Sequence, residues 1–171
     1  MGDVNGFVAF DVERVGSRSR RPLQLGLAEV IDGCVTRRMM RWVRTPGHPW
    51  SCVTTTSRGM LKRGDQLTRE IYESASLLPD TWSEIAALID GRPVVAHQVG
   101  GDVAALRLAF DDLGLPWPHL TFTCSLQLSR AVWPAVRSHQ LPDLAAHLFP
   151  EIGLFTGYRA ASAGHDPVED A

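Results

Sequence analysis

The chain has 171 residues, a formal net charge of −2, 44% hydrophobic and 21% charged residues. That length suits one domain with a real core, no apolar run approaches the roughly 20 residues of a membrane span, and the weak net charge argues against a broad nonspecific grip on nucleic acid. Cys34, Cys52 and Cys124 are scattered without a CxxC pair, so they give no sign of a zinc or redox centre and read as reduced structural thiols. The segment Met1–Asn5 has neither a basic nor an apolar targeting region, and the expected location is cytoplasmic.

In chain order, the apolar run Phe7–Phe10 reads as a strand buried on both faces, and it ends in Asp11-Val12-Glu13. Period two along a strand places Asp11 and Glu13 side by side on one face. Two carboxylates at the edge of a core repel each other unless a cation sits between them. Acids also cap strand ends simply where the chain meets water, so this stretch alone leaves both readings open. A polar turn over 16–22 leads to a second strand, Leu23–Ile31, and Asp32-Gly33 is a two-residue hairpin signal joining it to a third, Cys34–Val43. Arg14, Arg18, Arg20, Arg21, Arg37, Arg38, Arg41 and Arg44 crowd this first third, mostly as a solvated strand face.

Residues 45–64 read as a long loop. A helix follows from about Gln66 to Ala75, and another from Pro79 to Gly91 with Trp82, Ile85, Ala86 and Ile89 on one face. Pro93–His97 is a short buried strand. Gly100-Gly101 then breaks the chain before Asp102 opens a helix with Ala105, Leu106, Ala109 and Leu113 on its apolar face. Leu120–Cys124 is a last strand, with helices over Leu126–Trp133 and Pro142–Phe149. Three antiparallel strands followed by alternating helices and strands describe an α/β fold with a mixed five-stranded sheet flanked by helices. The histidines His48, His119, His139 and His147 read as solvent-facing or structural, and the five tryptophans as core or loop anchors, with Trp50 also placed for stacking on a base.

At the far end, Asp166-Pro167 with Glu169 three residues on resembles a capping box with proline at the first helical position. His165 and Asp170 then occupy the two positions that meet in a staple, an imidazole beside a carboxylate. A helix starting at Pro167 has five residues in this sequence, so either the natural chain continues past Ala171 or the turn frays. Asp11, Glu13, Asp102 and Asp170 with His165 form an oxygen-rich set suited to Mg²⁺ or Mn²⁺ rather than zinc. Two such ions about 4 Å apart can hold a phosphodiester between them, which points to phosphoryl transfer.

The segments Phe7–Glu13, Val95–Asp102 and His165–Asp170 resemble, in order and spacing, the three motifs of the DEDDh, or DnaQ-like, 3′-to-5′ exonucleases. That family includes the proofreading epsilon subunit of bacterial DNA polymerase III, ribonuclease T and oligoribonuclease. The five-residue step from His165 to Asp170 selects this subtype over the sister group that uses tyrosine, and the resemblance extends through Cys124–Leu144. It implies a single exonuclease-like domain over 1–171 with a ribonuclease H-like fold. It also implies two Mg²⁺ or Mn²⁺ held by Asp11, Glu13, Asp102 and Asp170, with His165 as general base. The implied partner is single-stranded DNA or RNA with a 3′ end, cut to nucleoside 5′-monophosphates.

Val12, Arg14, Val15, Gly16, Met60, His97 and Gln98 fall where family members flank the terminal nucleotide. Several of these depart from the family pattern. Arg14-Val15-Gly16 replaces small hydroxyl residues and glycine, Gln98 an asparagine, Gly101 a phenylalanine, and Arg58-Gly59-Met60 a His-Gly-Ile segment. Gly101 predicts a looser helix start ahead of Asp102. The alternative reading is a catalytically weakened exonuclease-like domain that binds nucleic acid or a protein partner.

Overall fold

The computed structural model describes residues 6–15, 20–56 and 67–150. Gly16, Met60, His165 and Asp170 lie outside the described residues, as does the helix start at Pro167. Strand β1 spans Gly6–Arg14, β2 Pro22–Ile31 and β3 Cys34–Arg44. Helix α1 spans Trp50–Thr56, α2 Arg69–Ser74, and the short strand β4 Ser76–Leu77. Then come α3 Leu78–Ile89, β5 Val94–Ala96, α4 Gly100–Asp112, β6 Phe122–Cys124, α5 Ser125–Val132 and α6 Leu141–Leu148.

The sheet has the order β4-β3-β2-β1-β5-β6. β1, β2 and β3 are antiparallel, as the hairpin signal predicts. Asp32 and Gly33, both at positive φ (51° and 77°), make the turn between paired Ile31 and Cys34. That is the conformation a two-residue hairpin needs to match the twist of its strands. β5 and β6 add in parallel on the other side of β1. Among the described residues the sheet has six strands rather than the expected five, because Ser76–Leu77 pairs in parallel with Val43–Arg44. Two residues carry no alternation pattern, and only their meeting with β3 makes them a strand.

β1 is central because its residues can be buried on both sides: Val8, Ala9 and Phe10 are each at most 4% exposed. Val8, Phe10 and Val12 pack with Leu25 and Leu27 of β2 against Ile85 and Leu88 of α3 and Ala105, Leu106, Ala109 and Phe110 of α4. Phe110 is clasped edge-on by Trp82 and Trp117, and the guanidinium of Arg107 sits 4.5 Å over the Trp117 ring. Within α3 the buried face is Leu78, Thr81, Ile85, Leu88 and Ile89, and Ala86 is exposed rather than inward.

A second, smaller cluster joins Val15, Leu23, Val53, Leu67 and Tyr72, with Trp42, Trp50 and Ile71 against it. It explains why 50–56 is helical within a stretch that reads as loop. Val53 is fully buried in this cluster, Trp50 leans on Tyr72 at 5.9 Å, and the Tyr72 hydroxyl donates to the carbonyl of His48 at 2.9 Å. Trp50 is therefore a packing residue at this place. Thr68 caps α2 by accepting from the Ile71 N–H at 3.2 Å.

Candidate active site

The register of β1 makes the site. β1 pairs with β5 only at Val8↔Val94 and Ala9↔Val95, and β5 ends at Ala96, so Asp11–Arg14 run on beyond their parallel neighbour. The crevice lies past the carboxyl ends of two parallel strands, where one connection turns away through α4, the place at which open α/β sheets bind ligands. A cavity of about 400 Å³ opens there, lined by Asp11, Val12, Glu13, Arg14, His97, Gln98, Gly101, Asp102, Gln140, Leu141 and Pro142. The carboxylates read from the first and second motifs thus share one cavity.

Asp102 is the third residue of α4 and only 7% exposed. Burial first, then the negative charge of Asp11, push its carboxyl up to about 7. Hydrogen bonds from the main-chain N–H groups of Val12 and of Asp102 itself, and the positive charge of Arg14, pull the other way. Helix α4 starts at Gly100, two residues ahead of the expected Asp102, with the Gly101 N–H donating to the Gln98 carbonyl at 3.2 Å and the Val103 N–H to the Val99 carbonyl at 3.0 Å. Gln98 stands at φ 60°, a left-handed kink between β5 and α4.

His97 also lines the cavity, and its Nδ1 lies 3.0 Å from the Ser125 hydroxyl at the start of α5. Val12 is buried in the main core and also lines the cavity. Val15, expected beside the substrate, is instead fully buried in the second cluster and does not line the cavity. Val15 follows Arg14 with the opposite parity, that of Asp11 and Glu13, and its apolar side chain packs against Leu23, Val53 and Tyr72 instead of the cavity.

Gln140, Leu141 and Pro142, at the N-terminal end of α6, join the lining without having been singled out from the sequence. The only local signal was a polar turn before a proline-started helix. It is held by Ser138 Oγ donating to Asp143 at 2.7 Å and by the 3.0 Å contact of Ser129 Oγ with His139 Nδ1.

Among the described residues, no three His, Cys, Asp or Glu side chains are grouped tightly enough to form a metal cage by themselves. The donor chemistry nonetheless fits a hard divalent cation. The acidic groups at the cavity are oxygen donors, and the charge of Asp11 acts on Asp102 in the repulsive sense that a cation between them would reverse.

The chain is 20% identical over 145 residues to the 3′-5′ exonuclease DinG of Bacillus subtilis (strain 168), a match covering 83% of this chain and 15% of that protein. It therefore spans about a seventh of the length of that curated relative. No protein-family model matches it. Among solved structures it is similar to the nuclease domain of 3′hExo, a DEDDh family member bound to rAMP. The TM-score there is 0.68 at 11% identity, over 95% of this chain and 90% of that one. The fold is that of the DEDDh, DnaQ-like exonucleases. Exonuclease X in complex with 5′ overhanging duplex DNA shares this ribonuclease H-like fold too, with a TM-score of 0.61 at 19% identity over 83% of this chain and 72% of that one. On the DnaQ-like framework, Asp11 and Glu13 stand at the end of the central strand and Asp102 on the first turn of the helix after β5.

Proposed function

We propose that the chain is a metal-dependent 3′-to-5′ exonuclease that releases nucleoside 5′-monophosphates from single-stranded DNA or RNA. The observation that carries this reading is the cavity shared by Asp11, Glu13 and Asp102, with Asp102 buried and repelled by Asp11, on a DnaQ-like fold. The binding of rAMP by the 3′hExo domain and of DNA by Exonuclease X supports a nucleotide as occupant. About 400 Å³ also falls within the range of small-molecule pockets.

In this reading Asp11, Glu13, Asp102 and Asp170 hold two Mg²⁺ or Mn²⁺ ions, which when bound supply an activated water and charge stabilisation at the departing oxygen. His165 accepts the proton of the attacking water, a role suited to an imidazole near neutral pH. The water oxygen bonds to phosphorus, the bond from phosphorus to the 3′ oxygen of the shortened strand breaks, and the phosphate leaves on the 5′ oxygen of the released nucleotide. His97, Gln98 and Gln140 orient that nucleotide from the cavity wall.

The test is incubation with labelled single-stranded DNA and RNA in Mg²⁺ or Mn²⁺. Stepwise release of mononucleotides from the 3′ end is expected. Absence of release from both substrates with both ions would refute the reading.

A further inference from the structure

We propose that Arg14 and Gly101 form one functional unit, in which the missing side chain of Gly101 seats the Arg14 guanidinium over the cavity to bind the phosphate group that is to be cut. The inference rests on the exonuclease reading and assigns a substrate contact within it.

Three observations carry the proposal. First, a Cβ built on Gly101 would meet Arg14 Nη1 at 3.6 Å, Cζ at 3.8 Å and Nη2 at 3.9 Å, the nearest atoms among the described residues outside its own helix turn. The guanidinium therefore covers Gly101, and any bulky side chain there would stand in its place. Second, the path of β1 brings it there. Arg14 ends the strand, after a register shift between Glu13 and Arg14, with the parity of Phe10 and Val12, the face on which α4 packs. A charged side chain with that parity at a strand end reaches over the first turn of α4 while staying exposed to solvent. Third, Arg14 is the one permanent cation among the described residues that line the cavity, whose other charged members are Asp11, Glu13 and Asp102.

A phosphodiester entering among three carboxylates is repelled, and an arginine fork is the side chain best shaped to hold it, by two parallel N–H···O bonds. The Arg14 side chain is exposed and the charge it acts on is that of Asp102 beside it, so its N–H donors can be reached by a ligand in the cavity. Its position beside Asp102 puts it at the phosphate nearest the acids, not at one further along the strand.

The test compares two short single-stranded oligodeoxynucleotides, one with an ordinary 3′-terminal linkage and one with a neutral methylphosphonate there. Binding is measured by fluorescence anisotropy in EDTA, so that nothing is cut, for the wild type, Arg14→Ala, Arg14→Lys and Gly101→Phe. The wild type should bind the charged linkage about tenfold more tightly than the neutral one. Arg14→Ala should lose that discrimination, Arg14→Lys should keep part of it, and Gly101→Phe should lose it with Arg14 still present. Equal discrimination in wild type and Arg14→Ala would overturn the proposal, as would a wild type that shows none. Full discrimination in Gly101→Phe would overturn the shared seat. Hydrolysis of the unmodified strand by the wild type in Mn²⁺ is assayed in parallel: its absence counts against the exonuclease reading itself, whereas its presence without discrimination in EDTA counts against Arg14 alone.

Discussion

The main-chain N–H of Val12 donates a hydrogen bond to the carboxylate of Asp102, tying the first turn of α4 to the end of β1. This bond holds a buried acid at the cavity wall although burial and Asp11 both favour its protonated form.

A pH dependence of stability follows. The Asp102 carboxyl is raised from 3.8 to about 7 in the folded chain, so the folded state holds this proton more tightly than the unfolded state does. The contribution is fully present below about pH 4 and is lost as pH rises through about 7. In EDTA, urea denaturation should show the wild type losing stability against Asp102→Asn across that window, by no more than about 4 kcal/mol. Parallel stability curves for the two proteins would contradict this.

Metal binding should oppose the same proton. Below about pH 7, Mn²⁺ must displace the proton from Asp102, so apparent affinity should rise with pH and level off above it. Calorimetric titration in two buffers of different ionisation enthalpy measures the released proton directly; none released in the acid range would count against Asp102 as a ligand.

Asp11→Ala should separate stability from activity. Removing the Asp11 charge relieves the second-largest cause of the Asp102 shift, so the metal-free protein should be no less stable above pH 7. Mn²⁺-dependent nucleotide release should fall by at least about 10²-fold, since even outer-shell changes at metal sites cost 10–100-fold. Retained full activity in this variant would place the chemistry elsewhere.

Gly101→Ala should fold normally. Its new methyl would lie at ordinary contact distance from the Arg14 guanidinium, and alanine suits a helix better than glycine, so unfolding free energy should rise by about 0.5 kcal/mol in chemical denaturation. Gly33→Ala should act in the opposite sense, losing about 1 kcal/mol, because the hairpin needs φ 77° at that position.

Ser125→Ala removes the hydroxyl 3.0 Å from His97 Nδ1. Stability should drop by about 1 kcal/mol, and the Michaelis constant for an oligonucleotide should rise more than turnover falls, since His97 lines the cavity without being assigned proton transfer. An unchanged Michaelis constant would show that the orientation of the ring is not used.

Several parts of the molecule were legible from local chemistry. The run Phe7–Phe10 followed by spaced acids gave the central strand and its carboxylates. Asp32-Gly33 gave the antiparallel hairpin, and the periodicity of Ala105, Leu106 and Ala109 gave the inner face of α4. Each depends on residues close together in the chain, so short-range sterics and periodicity suffice. Helix α1 and strand β4 were not legible: one is seven residues long, anchored by Val53 in a cluster with Tyr72, and the other is two residues paired to Val43 and Arg44.

The residue types at the cavity were set by the sequence, which placed Asp11 and Glu13 on one strand and Asp102 after a glycine pair. Tertiary structure decided what surrounds them. It stopped β5 short of Asp11, buried Val15, brought Gln140–Pro142 to the wall and laid Arg14 over Gly101, 87 positions further along the chain. Arginine after Glu13 and glycine before Asp102 look like two separate oddities when read in line. Packing α4 on β1 puts them in contact, and the volume that one lacks is the volume that the other fills.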